Sequence, residues 1–477
     1  MSHFRLATLL LAGTVALSAC ADDAATPSLT GPAGGAALNA DAAAPQADRH
    51  LFLFAEKVIP ADFGARVAAV GGTVEKEFRG MGIASVTGLT AEAAAQLGAA
   101  ADVTHWNHDV VLTIDPPSSE LLPESAGEAA LSEPASASNP TTAFFYPRQW
   151  HLRQIGADVA WSAGKRGSRS VKVGILDSGI DYLHPDLVGL VDLSLSRSFV
   201  PADNALVQAN FPGAHEIADL HYHGTHVAAT VASNAALAAG VTSNVTLVGI
   251  KVLNRNGSGD SFNTLSAIEY AADQGLDVIN MSLGISTPLS LEQFGWFNEM
   301  INRAMEYAFR KGVVVVVSAG NENRNLDALG NTFSAYCTAT TLTCVSATGP
   351  TSRTSVNGPW VNPDAKASYS NYGVEHINVA APGGNGSSNV TAACSGFSLN
   401  SGLLVCRSRT FVLGLNGTSM ASPHAAAVAA LLVEKIGKRQ PGLVRQRLQQ
   451  SADDLGKRGA DPIYGKGRIN VVRALGL

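Results

Sequence analysis

Val171-Lys172-Val173-Gly174-Ile175-Leu176-Asp177-Ser178-Gly179 is the stretch on which the fold turns. It is a near-continuous apolar run, rich in β-branched residues, that stops on an acid followed by Ser-Gly. Such a run reads as a strand buried on both faces, the pattern of parallel sheets rather than of half-solvated antiparallel ones. Residues 245–253, 278–281 and 313–317 have the same character. Between them lie helical segments, residues 264–272 ended by Gly275 and 301–309 ended by Gly312, since glycine readily adopts the left-handed cap of a helix. Buried strands alternating with helices predict an α/β architecture, a doubly wound parallel sheet.

In such sheets ligands bind outside the carboxyl ends of the strands. Asp177 ends the first strand, Ser282-Leu283-Gly284 ends another, and Asn321, in Ser318-Ala319-Gly320-Asn321, ends a third. His223, in His223-Gly224-Thr225-His226, and Ser419, in Gly417-Thr418-Ser419-Met420-Ala421-Ser422-Pro423-His424, each open a helix-like segment of small residues. The start of a helix offers free backbone N–H groups to a developing anion. These residue types suit one chemistry. A serine hydroxyl is a weak nucleophile until a histidine takes its proton, and that histidine needs an acid to hold its tautomer. An asparagine amide can then donate to the oxyanion. Ser419 is therefore the expected nucleophile, His223 the base and then the acid, Asp177 the orienting carboxylate, and Asn321 the oxyanion donor. Asp181, one turn beyond Asp177, is the rival acid. His226 and His424 read as packing residues. A His-Glu-x-x-His metal pair would need Glu where Gly224 stands.

The Asp-Ser-Gly, His-Gly-Thr-His, Asn-Met-Ser-Leu-Gly (280–284), Ala-Gly-Asn and Gly-Thr-Ser-Met-Ala-Ser-Pro-His motifs together resemble the motif set of the subtilisin-like serine proteases. The resemblance runs from about Trp150 to the carboxyl terminus. It implies a serine endopeptidase that needs no cofactor for catalysis and acts on protein or peptide substrates. It implies further that the substrate chain lies as an added strand along Ser282, Leu283 and Gly284. Gly284, Ala319 and Gly320 would wall the pocket for the residue before the cut, small walls favouring large apolar side chains. Asp186 matches a position that in many members helps hold a structural calcium. The segment 234–240 lacks the usual calcium-loop composition, which leaves calcium open. An α/β-hydrolase esterase would instead run serine, acid, histidine around Gly-x-Ser-x-Gly, whereas here Ala421 follows Met420 and the order is acid, histidine, serine.

The 477 residues leave room for more than one domain. The net charge is −6 and no long basic run occurs, which argues against nucleic acid as a partner. Arg5 precedes a short apolar run, residues 6–17, and the sequence Leu17-Ser18-Ala19-Cys20; this is the form of an export signal, not of a membrane span. Its ending resembles a bacterial lipobox, which implies a lipid on Cys20 and an envelope-anchored precursor; the alternative is an ordinary signal with an incidental cysteine. Residues 21–48 read as a flexible tether. Residues 49–115 show the order strand, helix, strand, strand, helix, strand. Strands are expected at 51–54, 83–86 and, closing the unit, 110–114, and helices at 60–70 and 90–97, with Thr90 as N-cap. That order predicts a ferredoxin-like α+β domain, and by the same family resemblance it looks like a propeptide that inhibits until cut. Residues 116–147, rich in Pro, Ser, Glu and Ala, read as an exposed linker carrying the processing site, with the catalytic domain at 148–477. Cys337, Cys344, Cys394 and Cys406 suggest two disulfides in an exported chain. Three pairings are open, and proximity favours Cys337–Cys344 and Cys394–Cys406. Zinc is disfavoured because neither pair has Cys-x-x-Cys spacing.

Overall fold

The computed structural model describes residues 48–114, 122–127, 136–285, 289–328, 336–386 and 388–477. The expected signal, Cys20 and nearly all of the tether lie outside the described residues.

The chain first builds a four-stranded antiparallel sheet, order β2-β3-β1-β4. Its strands are β1 (His50–Phe54), β2 (Thr73–Phe78), β3 (Ile83–Thr87) and β4 (Val103–His108), with helices α1 (Phe63–Ala69) and α2 (Ala91–Gly98) between them. This is the ferredoxin-like order, and Thr90 caps α2 by accepting from the Ala93 N–H at 3.2 Å. Alternation along β1 serves two cores at once. Phe52 and Phe54 pack under the two helices with Phe63 and Leu97. Leu51 and Leu53 face the other way, into the core of the main unit with Trp296 and Met300.

The expected closing strand needs correction. β4 closes the small sheet, and its Val-Thr-His-Trp-Asn-His sequence hid it behind polar side chains. The apolar residues that follow form β5 (Val111–Thr113), which leaves the small sheet altogether. It lies antiparallel between β10 (Ser258–Asp260) and β12 (Gly284–Ile285) of the main unit. The expected linker also contains structure. Residues 122–125 form β6 (Leu122–Ser125), and Phe145 is buried against Leu237, Ala238 and Val412.

The main unit is built on seven parallel strands in the order β17-β14-β13-β11-β7-β9-β8. These are β7 (Lys172–Asp177), β8 (Arg197–Ser198), β9 (Thr246–Lys251), β11 (Val278–Met281), β13 (Val314–Ser318), β14 (Thr343–Thr348) and β17 (Val379–Pro382). A small hairpin, β15 (Ser352–Arg353) with β16 (Trp360–Val361), lies outside the sheet. β18 (Val390–Ala393) and β19 (Phe411–Leu415) pair antiparallel. β9 lies on one side of β7 and β11 on the other, so the winding reverses at β7. That reversal opens a crevice at its carboxyl end, where Asp177 stands.

Helices α3 (His223–Val231), α4 (Ser261–Asp273), α5 (Leu291–Arg310) and α6 (Thr418–Ile436) complete the elements that matter for the site. α5 begins ten residues before the expected start, at a capping box in which Ser290 and Gln293 exchange side-chain and backbone bonds. Both disulfides form as proximity favoured, Cys337–Cys344 and Cys394–Cys406, with Cα–Cα separations of 5.3 and 5.7 Å.

Candidate active site

β7 delivers Asp177 into a fully buried position, and α3 opens on His223 beside it. The imidazole Nδ1 lies 2.9 and 3.0 Å from the two carboxylate oxygens. Asp181 is turned elsewhere: its Oδ2 accepts from the Gly396 N–H at 2.8 Å and from Arg409 Nε at 2.9 Å. The structure therefore brings His223 to Asp177 and not to Asp181.

α6 begins one residue before Ser419. Asn321 is tied to that helix by its carbonyl end alone, Oδ1 accepting from the Thr418 N–H and from Thr418 Oγ1, each at 2.9 Å. This fixes the amide so that its NH₂ faces away from Thr418. Among the buried side-chain atoms without a hydrogen-bond partner are Ser419 Oγ, His223 Nε2 and Asn321 Nδ2. Other buried atoms also lack a partner, but this hydroxyl, imidazole nitrogen and amide are the types that acyl transfer needs, and each stands on an element that borders the crevice, which marks a reaction site.

Ser282 Oγ donates to the Ser419 carbonyl at 2.9 Å and lies 2.9 Å from Ser422 Oγ, joining the end of β11 to the start of α6. Leu283 is core. Gly284 pairs with Thr113, and the Ile114 N–H donates to the Gly257 carbonyl at 2.8 Å, so the chain's own β5 lies along this edge as an added strand. Ala319 is fully buried. At Gly320 φ is +95°, and a Cβ would sit 2.5 Å from Asn371 Nδ2, so glycine is required there.

Behind the crevice, His226 Nε2 bridges the carbonyls of Val390 and Leu413 at 3.2 and 3.0 Å. His424 Nδ1 meets the Met420 carbonyl at 2.7 Å, and its Nε2 meets His151 Nδ1 at 2.8 Å. Burial lowers His226 to about 3 and His424 to about 4. They are neutral imidazoles that hold backbone.

Sequence reasoning missed Asp219. Its buried carboxylate accepts from Ser178 Oγ (2.9 Å), the Thr225 N–H (2.9 Å), Thr225 Oγ1 (2.6 Å) and the N–H groups of His221 and Tyr222 (3.1 Å each). It thereby joins the residue after Asp177 to the first turn of the His223 helix. In His215-Glu216-Ile217-Ala218-Asp219-Leu220-His221 it stands among other polar residues with no motif of its own, so nothing local marked it.

The calcium expectation at Asp186 does not fit the residues present. Calcium takes six to eight oxygen ligands. The Asp186 carboxylate is fully buried, and its two oxygens accept from the Leu237 and Ala238 N–H groups at 2.8 and 3.1 Å. The loop is held by this carboxylate directly. Among the described residues Asp327, Glu375 and His376 also cluster at the surface, but Asp327 is engaged by the N–H groups of Val374 and Glu375.

The subtilase family model matches residues 168–467. Subtilisin DY of Bacillus licheniformis is 35% identical over 324 residues, covering 67% of this chain and 96% of that protein. Thermitase of Thermoactinomyces vulgaris is 32% identical over 340 residues, covering 70% and 99%. Among solved structures, the epidermin leader peptide processing serine protease of Staphylococcus aureus matches with a TM-score of 0.67 at 19% identity, covering 90% of this chain and 98% of that one. Fervidolysin of Fervidobacterium pennivorans matches at 0.62 with 22% identity, covering 90% and 61%. An α/β sheet of this winding, with a buried Asp–His pair and a serine opening a helix, defines a subtilisin-like serine endopeptidase. The chain belongs to the subtilase family.

Proposed function

We propose that the chain is an exported, self-processing serine endopeptidase made as an envelope-anchored precursor. Ser419 Oγ attacks the peptide carbonyl while His223 Nε2 takes its proton, with Asp177 on the opposite nitrogen to hold the tautomer and stabilise the imidazolium. The Asn321 NH₂ and the Ser419 backbone N–H receive the charge that develops on the oxyanion. His223 then protonates the leaving amine, and water resolves the acyl-enzyme. The acyl side of a protein or peptide substrate lies where β5 lies, along Ser282, Leu283 and Gly284, with Gly284, Ala319 and Gly320 walling the pocket for a large apolar residue. The reading rests on one observation above the rest: Ser419 Oγ, His223 Nε2 and Asn321 Nδ2 are all buried and all unpartnered.

The domain at 49–115 acts as propeptide and inhibitor in this reading, which is supported by β5 lying in the cleft. A lipid on Cys20 anchors the precursor, and cleavage in the linker at 116–147 frees the catalytic domain. Among the described residues no helix is long and apolar enough to cross a membrane. Mass spectrometry of the purified wild type beside Ser419→Ala tests nucleophile, maturation and lipid together. The variant should stay full-length and membrane-bound while the wild type is cut; normal processing of the variant would assign the cut to another protease.

A further inference from the structure

Three carboxylates gather around one guanidinium where the amino-terminal domain meets the main unit. Arg49 stands just before β1 and spends two short bonds on Glu75 of β2, Nε to Oε2 and Nη2 to Oε1, each at 2.8 Å. Its Nη1 lies 3.4 Å from the Oδ2 of two further acids, Asp109 and Asp260. Asp109 joins β4 to β5. Asp260 belongs to the main unit, where it caps α4 by accepting from the Asn263 N–H at 2.7 Å. Asp109 reaches over the same helix start, its Oδ1 accepting from the Ser261 N–H at 3.0 Å. Two acids from opposite sides of the interface therefore meet at one helix end, where Arg49 is already engaged by Glu75. Elsewhere this interface joins opposites, Lys57 with Glu306 and Lys76 with Glu269.

Asp109 is buried and Asp260 half-buried, so water does little for either charge. Burial, and next the Asp260 charge, push the Asp109 carboxyl up to about 7, against the pull of Arg49 and of the Phe262 and Val110 N–H groups. Burial raises Asp260 as well, against its bonds to Asn263 and Arg49, and the Glu75 charge adds to the rise. Glu75 itself goes the other way: burial opposes its charge, but Arg49 and Ser85 Oγ outweigh burial. Tyr336 also feels the Asp109 charge, and burial keeps its hydroxyl neutral. Like charges sharing a site do not both ionise cheaply, so the docked pair holds one proton between its two carboxyls up to near neutrality. Once the domain leaves, each carboxyl regains water and its ordinary value of about 4. Docking is thus coupled to proton uptake, and it weakens as pH rises from that ordinary value through the docked one. We propose that Asp109 and Asp260 form a proton-held clamp on the inhibitor domain, closed while they share a proton and loosened when rising pH removes it. The clamp rests on the reading of residues 49–115 as an inhibitor and supplies its trigger: the precursor stays latent in acid surroundings and opens toward alkaline ones.

β5 bonds across to β10 and β12, so hydrogen exchange of its amides reports undocking without any need for activity. The parent is the full chain carrying Ser419→Ala. Adding Asp260→Asn keeps the cap on α4 and removes one of the two like charges. At pH 8 this variant should protect β5 about tenfold better than the parent, and at pH 6 about equally well. Asp109→Asn, which keeps an oxygen for the Ser261 N–H, should show the same gain. Structural damage would lower protection at both pH values, so the absence of a gain at pH 8 in both variants overturns the clamp. That failure leaves the protease reading intact, because no cutting is measured. An inactive wild type beside a gain at pH 8 would overturn the protease reading and uphold the clamp.

Discussion

Asn321 is held by its oxygen, which leaves its nitrogen free for work. Because Thr418 takes only Oδ1, Asn321→Ala removes a donor without disturbing a substrate contact in the ground state. The expected loss is about 2.7–4 kcal/mol of transition-state stabilisation, a range borrowed from subtilisin rather than derived from this chain. It should appear in kcat with KM little changed, and a raised KM at constant kcat would reassign the residue. Asp219 differs because it touches no reacting atom. Asp219→Ala leaves the Ser178 and Thr225 donors and two backbone N–H groups without an acceptor, each orphan costing roughly 1–3 kcal/mol if it stays buried. Melting temperature and kcat should fall together, whereas Asn321→Ala, which orphans only the Thr418 N–H and Oγ1, should lower the melting temperature less than Asp219→Ala does. Asp186→Ala tests the loop that this carboxylate holds. Its melting temperature should drop by the same amount with and without a chelator; a drop abolished by chelator would return a metal to that site.

The Cys394–Cys406 loop works at the scale of an element, by gripping the approach to the catalytic helix. Ser395 Oγ donates to the Asp219 carbonyl at 2.7 Å, the Leu399 N–H to that of Leu220 at 2.9 Å, and Ser398 Oγ to that of His221 at 2.6 Å. Three successive carbonyls ahead of His223 are thus held by one disulfide-closed segment. A loop of this order contributes about 3 kcal/mol by restricting the unfolded chain. Opening it, in Cys394→Ser with Cys406→Ser or by reductant on folded wild type, should lower kcat about tenfold or more through a displaced imidazole. Unchanged kcat with both thiols shown free by labelling would confine the disulfide to stability. The loop's cysteines were visible in the sequence, but not what the loop grips, since the bonds are made by side chains and carbonyls common to any loop. The same limit explains β5. Its apolar residues announced a strand correctly, yet nothing in them could name foreign strands as its neighbours, and the polar side chains of β4 gave no competing signal. Where local chemistry does fix structure, as in the Thr90 cap or the β-branched runs of the central sheet, reading and structure agree within a residue or two.

Across the whole molecule, the parts readable from sequence were those with their own local motif: Asp177, His223, Asn321 and Ser419 each came with distinctive neighbours. The framework behind them did not, because its members act only once distant segments meet. His151, His226 and His424 show this best, linking the segment after the linker, α3, α6 and the β18–β19 pair through neutral imidazoles. Their burial has a pH consequence. His226 and His424 hold folded values of about 3 and 4, below the ordinary value near 6.5 they regain on unfolding. The unfolded chain therefore binds more protons throughout the interval between, and stability falls as pH drops below about 6.5. By pH 5 the cost is roughly 2 kcal/mol per histidine. Urea unfolding of Ser419→Ala, chosen to prevent self-digestion, should show a lower midpoint at pH 5 than at pH 7. His424→Gln should show a smaller shift between the two. A midpoint that does not move would mean that these rings carry protons in the folded state, and the hydrogen-bond assignment linking His151, His424 and Met420 would have to be redrawn.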